Sequence, residues 1–532
     1  MKHRFTSSPL VLSILAVASF ALPLHTSEAA PGDVNAFNPD LNGFVSSSAI
    51  LPDGTLYLTG QFSTVGMANR TGIARFLPNG TFDASFNPNN SNICERVYVQ
   101  SDNQVLIAGF FTTWEGQSFE RIVRIDADGN HDTSFNPSPN DDINSILQQD
   151  DGKLIVAGRF TSIDGQMVNR IARLDTDGSL DATFNVGMGA DGEVDALAFQ
   201  DDGKILVMGE FANIDGTART GFARLNANGS LDTTYDPGFD GTNVFSINKL
   251  PDGKFLVCGI FGTSNGAFAA MAPEFLVRLN ADGTLDTTFT PNLTGGGVFS
   301  AVPQVNGKII LASNLSKIDD IDVELFNRIN GDGTLDTTFD YLLTPGGGRD
   351  AIVKDNGNLF LGGFFAEING TTRNRAAEVE YEATTDELSH SPNGTKLFWT
   401  RSGNNAVVHR VRFEISTDGG TIWTPLGFAS RVGATSTWEL GGLSLPLGDF
   451  MVRASGYIGH GGGLGATSSG YESVDTLTRV AVVDNSLLRA RLLKKIKKLV
   501  KKVKRFRRNG KVAKVKKLRK KIRKLGKRVR RL

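Results

Sequence analysis

At 532 residues the chain is long enough for more than one domain, and two cysteines are too few for a disulfide-stapled framework. Its formal net charge of +0 hides an asymmetry. From Arg489 to the end there are 25 Lys and Arg and no acid, whereas residues 31 to 488 carry 29 basic and 55 acidic side chains, a net of −26: an acidic body with a cationic tail.

Lys2 and Arg4 precede a nearly unbroken apolar run, Leu10 to Leu24, and His25 to Ala30 ends in small residues. This is the three-part pattern of an export signal over residues 1–29, with Ser27 and Ala29 as the small pair before the cut. The run is shorter than the roughly 20 residues of a membrane-crossing helix. The mature chain is therefore expected to be exported, secreted or associated with the cell surface. Cys94 and Cys258 fall in non-adjacent repeats and read as buried apolar residues rather than a bridge.

Repeats occupy residues 30–383. Aligned on the end of a G-x-F element, they place Phe62, Phe111, Phe160, Phe211, Phe261, Leu315 and Phe365 at separations of 49, 49, 51, 50, 54 and 50. In the first six, Arg75, Arg124, Arg173, Arg224, Arg278 and Arg328 follow, each with an aromatic 11 residues further on, Phe86, Phe135, Phe184, Tyr235, Phe289 and Phe339. The third copy predicts four short strands, Ile143 to Leu147, Lys153 to Phe160, Ile171 to Asp175 and Leu180 to Phe184, with turns at Asp151-Gly152 and Asp177-Gly178. Four strands at a period near 50 suit a β-propeller blade. The seventh copy has Glu378 at the Arg position and lacks the last turn and strand, while Gly32 to Pro39 resembles the end of a unit without its beginning. These complementary ends predict a seven-bladed β-propeller closed by an N-terminal strand, rather than a capped solenoid.

The recurring DGK-[IL]-[LI]-V-x-G-x-F, IARL and DGSLD-x-[TS]-F segments resemble the delta-60 repeats of bacterial secreted and surface proteins, over roughly residues 32 to 380. The sixth copy departs, with Ser313-Asn314-Leu315 for G-x-F. The resemblance implies a propeller-like fold and brings no catalytic residues with it.

Asp126-Ala127-Asp128-Gly129-Asn130 looks like the start of a calcium loop, but sister copies such as Leu77-Pro78-Asn79-Gly80 keep the turn and discard the charge. Turn chemistry is the preferred reading, and no metal or cofactor is assigned. The repeated Arg reads as a structural fork tying one blade to the next; a ring of anion-binding arginines around a channel is the functional alternative. His131, His390, His409 and His460 lack metal-ligand spacing, and no G-x-S-x-G element is present.

From residue 384 the period is lost. Lys396 to Thr400, Val407 to Ile415, Ile422 to Phe428, Thr435 to Leu440, Asp449 to Ser455 and Val474 to Thr478 predict a β-sandwich over 384–484, immunoglobulin- or fibronectin-like. Within it, Ser416-Thr417-Asp418-Gly419-Gly420-Thr421-Ile422-Trp423 resembles an Asp-box, a hairpin turn found in many β-proteins and no evidence of glycosidase activity. Gly456 to Gly470 is Gly-rich but lacks the Lys-Ser/Thr and helix of a phosphate loop, and reads as a long flexible connection.

Residues 485–532 complete the chain. Leu492, Ile496, Leu499, Val503 and Phe506, then Val515, Leu518, Ile522, Leu525 and Val529, recur at helical spacing on either side of Asn509-Gly510, predicting two basic amphipathic helices with Ser486 as N-cap. Their polar faces carry Lys494, Lys495, Lys497, Lys498, Lys501, Lys502, Arg505, Arg507 and Arg508, then Lys516, Lys517, Arg519, Lys520, Arg523, Lys524 and Arg528. Like charges at i,i+4 destabilise a lone helix by roughly 0.2–0.5 kcal/mol per pair, so an anionic envelope lipid or polysaccharide is the expected partner, with nucleic acid or the acidic body as alternatives.

The sequence thus points to an exported, non-enzymatic binding or structural scaffold, with protein or glycan taken at the propeller loops and a tail held on an anionic surface. The opposing reading is a secreted propeller hydrolase or lyase acting on carbohydrate. Trp114, Glu115, Phe119 and Glu120, in an aromatic and acidic interblade loop, are the first residues it would recruit.

Overall fold

A computed structural model of the chain describes residues 31–236, 241–261, 275–339, 346–382, 384–458, 469–479, 486–508 and 512–529. The expected export signal and the Asn509-Gly510 helix break lie outside these residues.

Among the described residues, seven antiparallel three-stranded units begin at Val45, Cys94, Ile143, Glu193, Gly241, Val298 and Gly346, the first two joined into one six-stranded sheet where Gly60 pairs with Cys94. In the third, Ile143–Gln148 pairs with Leu154–Gly158, which pairs with Ile171–Leu174. The Asp151-Gly152 turn closes with Gly152 N donating to Gln149 O at 3.0 Å, Gly152 taking the left-handed φ of +88° that glycine adopts without strain. A hairpin absent from the sequence reading, Ser162–Ile163 with Gln166–Met167, links the second and third strands.

The expected fourth strand, Leu180 to Phe184, is not formed. Leu180 makes one bridge to Leu174, and Asp181 then turns the chain. Its carboxylate accepts from Thr183 N at 2.9 Å and Thr183 Oγ1 at 2.6 Å, and Phe184 N donates to Asp181 O at 3.2 Å. An Asp that bonds backbone two residues on competes with a sheet ladder, so the segment becomes a turn that delivers Phe184 to the core.

The turn also completes a clamp. Arg173 Nε and Lys153 Nζ both donate to Asp181 Oδ2, at 2.8 and 2.6 Å, and the guanidinium lies 5.0 Å from the Phe184 ring centroid. Arg75, Arg124, Arg224, Arg278 and Arg328 likewise engage Asp83, Asp132, Asp232, Asp286 and Asp336 and lie over the aromatics 11 residues on. Spare Nη1 donors cross to the next unit, Arg124 to Thr176 O at 2.5 Å and Arg173 to Ala227 O at 3.4 Å. Arg328 bonds Tyr381 Oη at 2.8 Å and Glu382 at 2.9 Å, and in the seventh unit Glu378 takes Lys354 at 2.8 Å. Burial pulls the Asp181 carboxyl upward but is outweighed by the bonds from Lys153, Thr183 and Arg173, which hold it far below the usual carboxylate range.

Six of the aligned aromatic or apolar residues, Phe62, Phe111, Phe160, Phe211, Leu315 and Phe365, are buried, and Phe261 is half-buried. Apolar clusters form seams between consecutive units, for example Leu147 and Ile155 with Val194 and Val207. One seam joins the first unit to the seventh: Phe37, Val45 and Leu58 pack with Ile352, Phe360 and Ala376. Beside it Val34 bridges Val379, Gly32 N donates to Glu380 O at 2.8 Å and Asn35 N to Glu378 O at 3.1 Å. The expected N-terminal strand is therefore a single bridge flanked by these bonds.

Two four-stranded antiparallel sheets follow, containing Thr384–His390, Leu397–Gly403, Ser430–Arg431 and Thr437–Leu440 in one, and Arg410–Ser416, Thr424–Phe428, Gly448–Ile458 and Ser469–Arg479 in the other. Thr384–His390 lacks a counterpart in the sequence reading. The expected Gly456–Gly470 loop is partly strand, since Gly456, Tyr457 and Ile458 pair with Tyr471, Gly470 and Ser469. Asp418 Oδ1 accepts from Thr421 N, Ile422 N and Ser416 Oγ, which closes the turn between two of these strands. Trp399, Val411, Phe413 and Val452 share one core with Leu361 and Val379 of the seventh unit.

These sheets rest on the turns between first and second strands. Gly470 abuts Pro52, Tyr457 Oη donates to Asn103 at 3.0 Å, and Arg410 Nη1 donates to Gln149 O at 3.2 Å. His409 Nε2 lies 2.9 Å from Lys249 O, Val305 N donates to Asn405 O at 2.8 Å, and Glu472 N donates to Asp355 at 3.0 Å. Six of the seven units are touched at the same end.

Two tests follow from these contacts. Phe37→Ala, or removal of residues 31–39, should lower stability by about 3 kcal/mol, read as a fall in Tm, because it empties the seam between the first and seventh units. Arg328→Ala should cost about 3–5 kcal/mol, since it strands Asp336 and Glu382 without their cation, whereas an unchanged melt would assign the fold's stability elsewhere.

Candidate functional site

A glycine at or near the end of the second strand, replaced by Ser313 in the sixth unit, sets the site. At Gly158 a Cβ would lie 2.0 Å from Asp142 O, at Gly209 2.2 Å from Glu193 O, and at Gly259 2.2 Å from Asn243 O. Only a bare backbone fits so close to the first strand, and opposite it the register shifts in every unit, between Val45 and Ser47, Cys94 and Arg96, Ile143 and Ser145, Val194 and Ala196, Val244 and Ser246, Val298 and Ser300, and Gly348 and Asp350. A bulge of this kind leaves one residue outside the ladder and re-aims its side chain.

The bulged residues are Ser46, Glu95, Asn144 and Asp195, then Phe245, Phe299 and Arg349. Each stands 16 residues before its unit's aligned aromatic or Leu315. The sequence reading passed over this column; its signal was variation within a fixed register. Four of the residues are polar and neighbouring, and three form an aromatic and basic arc.

In the polar arc, Arg159 Nε meets Glu193 Oε1 at 2.7 Å, Asn144 Nδ2 donates to the same oxygen at 2.7 Å, and Arg96 Nε donates to Asn144 O at 3.1 Å. Asp195 accepts a long bond from Val244 N at 3.4 Å. Burial, with Glu193 and Glu210 nearby, pushes its carboxyl up to about 7. Asp142 is also raised by burial, despite Arg121 at 3.0 Å. In the other arc, Phe245 and Phe299 have centroids 5.4 Å apart, the Arg349 guanidinium lies 3.9 Å from the Phe299 centroid, and Phe44 stacks on Phe364 at 4.4 Å. Both arcs contribute to a cavity of about 230 Å³ lined by Glu95, Arg96, Phe110, Glu193, Asp195 and Phe245, among others.

First strands run from this cavity to the turns under the C-terminal sheets. Five or six residues at about 3.4 Å each put roughly 17 Å between the two ends. The cavity and the C-terminal sheets thus lie at opposite ends of the same strands.

Six segments, residues 51–86, 100–135, 149–184, 200–235, 250–289 and 304–339, match a family described as a β-propeller domain of unknown function (DUF5122). The chain is a propeller-type repeat protein. No curated protein matches it. The matched segments leave out every bulged first strand but take in Gly109, Phe110, Arg159 and Glu210 of the cavity lining.

The other sequence-derived residues are placed elsewhere. The six repeated arginines are engaged by Asp and aromatic partners within the sheets. Trp114 and Phe119 are buried and pack around His131, with Phe119 4.2 Å from the imidazole, and Glu115 sits in a hairpin turn at φ +52°. That group is packing rather than a site, a correction to the sequence expectation: alternation within a two-residue hairpin turns Trp114 inward. Asp177, like Asp282 and Asp332, bonds the Ser or Thr two residues on within its own turn. Among the described residues no group of three or more His, Cys, Asp or Glu could hold a metal ion. Cys94 and Cys258 are buried and unbridged.

Helix α1, Ser486–Arg508, and helix α2, Val512–Val529, pack against each other. Leu492 is buried and Ile496, Leu499, Val503, Leu518, Ile522 and Leu525 are half-buried. Lys494, Lys495, Lys497, Lys498, Lys501, Lys502, Lys516, Lys517, Arg519, Lys520, Arg523, Lys524 and Arg528 are exposed. The side chains of Arg505, Arg507 and Arg508 lie outside the described residues. Neither helix is long and apolar enough to cross a membrane.

The raised carboxyl of Asp195 has a signed consequence. Between pH 4 and 7 the folded state keeps a proton that the unfolded chain has released, so stability falls as pH rises through that window and is level above it. Asp350, pushed up by burial to about 8, Asp355 to about 6 and Glu472 to about 7 act in the same direction. Asp195→Asn should flatten, without abolishing, the decline in Tm between pH 4.5 and 8; an identical slope in the variant would mean that Asp195 titrates normally.

Proposed function

We propose that the seven units close into a ring, that the C-terminal sheets form a sandwich capping one end of it, and that the protein is an exported binding scaffold whose open mouth is the bulge-lined cavity. Closure is supported by the seam between Phe37, Val45 and Phe360 and by the Val34–Val379 bridge. The observation that carries the functional reading is the two-ended use of the first strands. Their turns lie under the cap, and the bulged Glu95, Asn144, Asp195 and Phe245 of four consecutive units line a cavity whose residues differ from unit to unit while the framework stays constant.

The tail fits the same plan. Ser469 Oγ accepts from Ile50 N at 3.3 Å beside the ring, whereas Arg479, at the other end of that eleven-residue strand, bonds Asn393 O at 2.8 Å. At about 3.4 Å per residue the strand carries the chain more than 30 Å from the cap contacts before the helices begin. Two helices without an acid, their apolar residues shared between them and their lysines exposed, suit adsorption to an anionic lipid or polysaccharide surface, with the mouth turned away from it. Nucleic acid is a weaker partner for a tail whose aromatic content is Phe506 alone.

A second reading has one observation in its favour. A carboxyl near 7 beside Glu193 in one cavity is a feature of acid–base sites, and it keeps a carbohydrate hydrolase or lyase in view. Turnover of a glycan library that ceases in Asp195→Asn would replace the scaffold reading with the enzymatic one.

Deleting Arg489 to Leu532 should leave the melt of the β-body unchanged and abolish co-sedimentation with vesicles containing anionic phospholipid at 0.15 M salt, while neutral vesicles retain neither form. Undiminished retention of the truncated protein would overturn the tether.

A further inference from the structure

We propose that the cavity binds an amine-bearing sugar, a hexosamine ring within a longer glycan. The inference rests on the reading of this mouth as the ligand site, and adds to it the chemistry of the ligand.

Four features of the cavity define that chemistry. Carboxylates outnumber cations in its lining, Glu95, Asp142, Glu193, Asp195 and Glu210 against Arg96 and Arg159, so a positive group is favoured and a uronic acid repelled. Arg96 Nη1 is buried there without a protein partner and calls for an acceptor on the ligand, such as a hydroxyl or ring oxygen. Asp195, with only its 3.4 Å bond from Val244 N, takes a donor such as an ammonium or hydroxyl. Phe110 and Phe245 supply apolar wall for the C–H face of a ring, and the adjoining Phe299 and Arg349 extend it towards a neighbouring sugar.

Simpler ligands satisfy fewer of these demands. A lysine side chain or polyamine brings charge and donors but no acceptor for Arg96. A metal ion lacks a preformed set of ligands among the described residues. An aromatic cation would use Phe245 and leave the hydrogen-bonding arc unpaired, at a desolvation cost for each buried polar group. An aminopyranose carries a cation, donors, acceptors and an apolar face on one rigid ring, and a cavity of about 230 Å³ has room for little more than one such unit.

The test is calorimetric titration of the full chain with three probes: a β-1,4-linked glucosamine tetramer, its fully N-acetylated counterpart and trilysine. The glucosamine tetramer should bind at least about tenfold more tightly than either of the others. Asp195→Asn and Phe245→Ala should each weaken it by about tenfold, and Glu210→Gln, at an exposed rim position that tolerates substitution, should weaken it measurably while the melt stays as in the parent. Equal or tighter binding of the N-acetylated tetramer, lost in the same variants, would overturn the amine requirement and leave the mouth as the site. Trilysine binding as well as the sugar would overturn the carbohydrate assignment. Binding that all three variants leave unchanged would overturn the mouth itself, and an absence of binding by all probes would overturn the proposal.

Discussion

The arginine of each of the first six repeats, buried at Arg124 and Arg328 and half-buried in the others, is the contact on which the rest of the propeller depends. Its guanidinium is held by an aspartate of its own unit, lies over an aromatic ring of that unit, and spends remaining donors on the next. A planar fork with five donors can serve these directions at once, which a lysine ammonium cannot do with the same fixed geometry. The aspartate is also used twice. One oxygen neutralises the cation while the other ties down the turn that presents the ring, as Asp181 does for Phe184. A single buried charge pair therefore couples the internal fold of one unit to its docking on its neighbour. The seventh unit lacks the arginine, and its place is taken by Glu378 with Lys354, beside the bonds to residues 32–35. The start of the repeat array meets its last unit where the clamp is missing.

Much of this was legible in the sequence, and the remainder was hidden for physical reasons. The period, the Asp-Gly turns, the arginine and aromatic register, the loss of the period after residue 384 and both tail helices follow from local patterns. The fourth strand was misread because Leu-Asp-Ala-Thr-Phe alternates like a strand; the deciding factor is that Asp181 bonds Thr183 instead of leaving the backbone to a ladder. The bulges were invisible for another reason. A bulge is a mismatch between two strands, and neither strand records it alone. The glycine opposite it shows in the sequence only as part of the G-x-F element, whereas its role is to let a carbonyl approach to within about 2 Å of where a Cβ would stand. Docking of the C-terminal sheets on the propeller turns joins residues 100 or more apart, Gln149 with Arg410 across 261 positions for one, and no local pattern encodes it.

The two ends of the propeller differ in chemistry because they differ in what the chain can vary. At the capped end, backbone groups take part in many of the contacts: Val305 N with Asn405 O, Lys249 O with His409, Gln149 O with Arg410. Such bonds tolerate much change in the turn residues. They also leave that end committed to a partner within the same chain. Asp355 and Glu472, both buried near Arg401 or Arg453 and both raised by that burial, add a polar component that weakens as pH climbs from about 4 towards 7 and is level above it.

The open end follows the opposite logic. Where the second strand carries this glycine, close backbone approach favours the bulge, so its existence does not depend on which side chain occupies the bulged position. Ser46, Asp195 and Phe299 stand in the same backbone frame, though they share neither size nor charge. Even the sixth unit, with Ser313 for the glycine, keeps the register shift between Val298 and Ser300. Stability is thus set by seams and clamps that lie elsewhere in the sheets, and substitution at the bulges costs the framework little. A fold of this kind can hold its strands fixed while the side chains at the bulges diverge, and that separation lets Glu95, Asn144, Asp195 and Phe245 line one cavity from a single backbone frame.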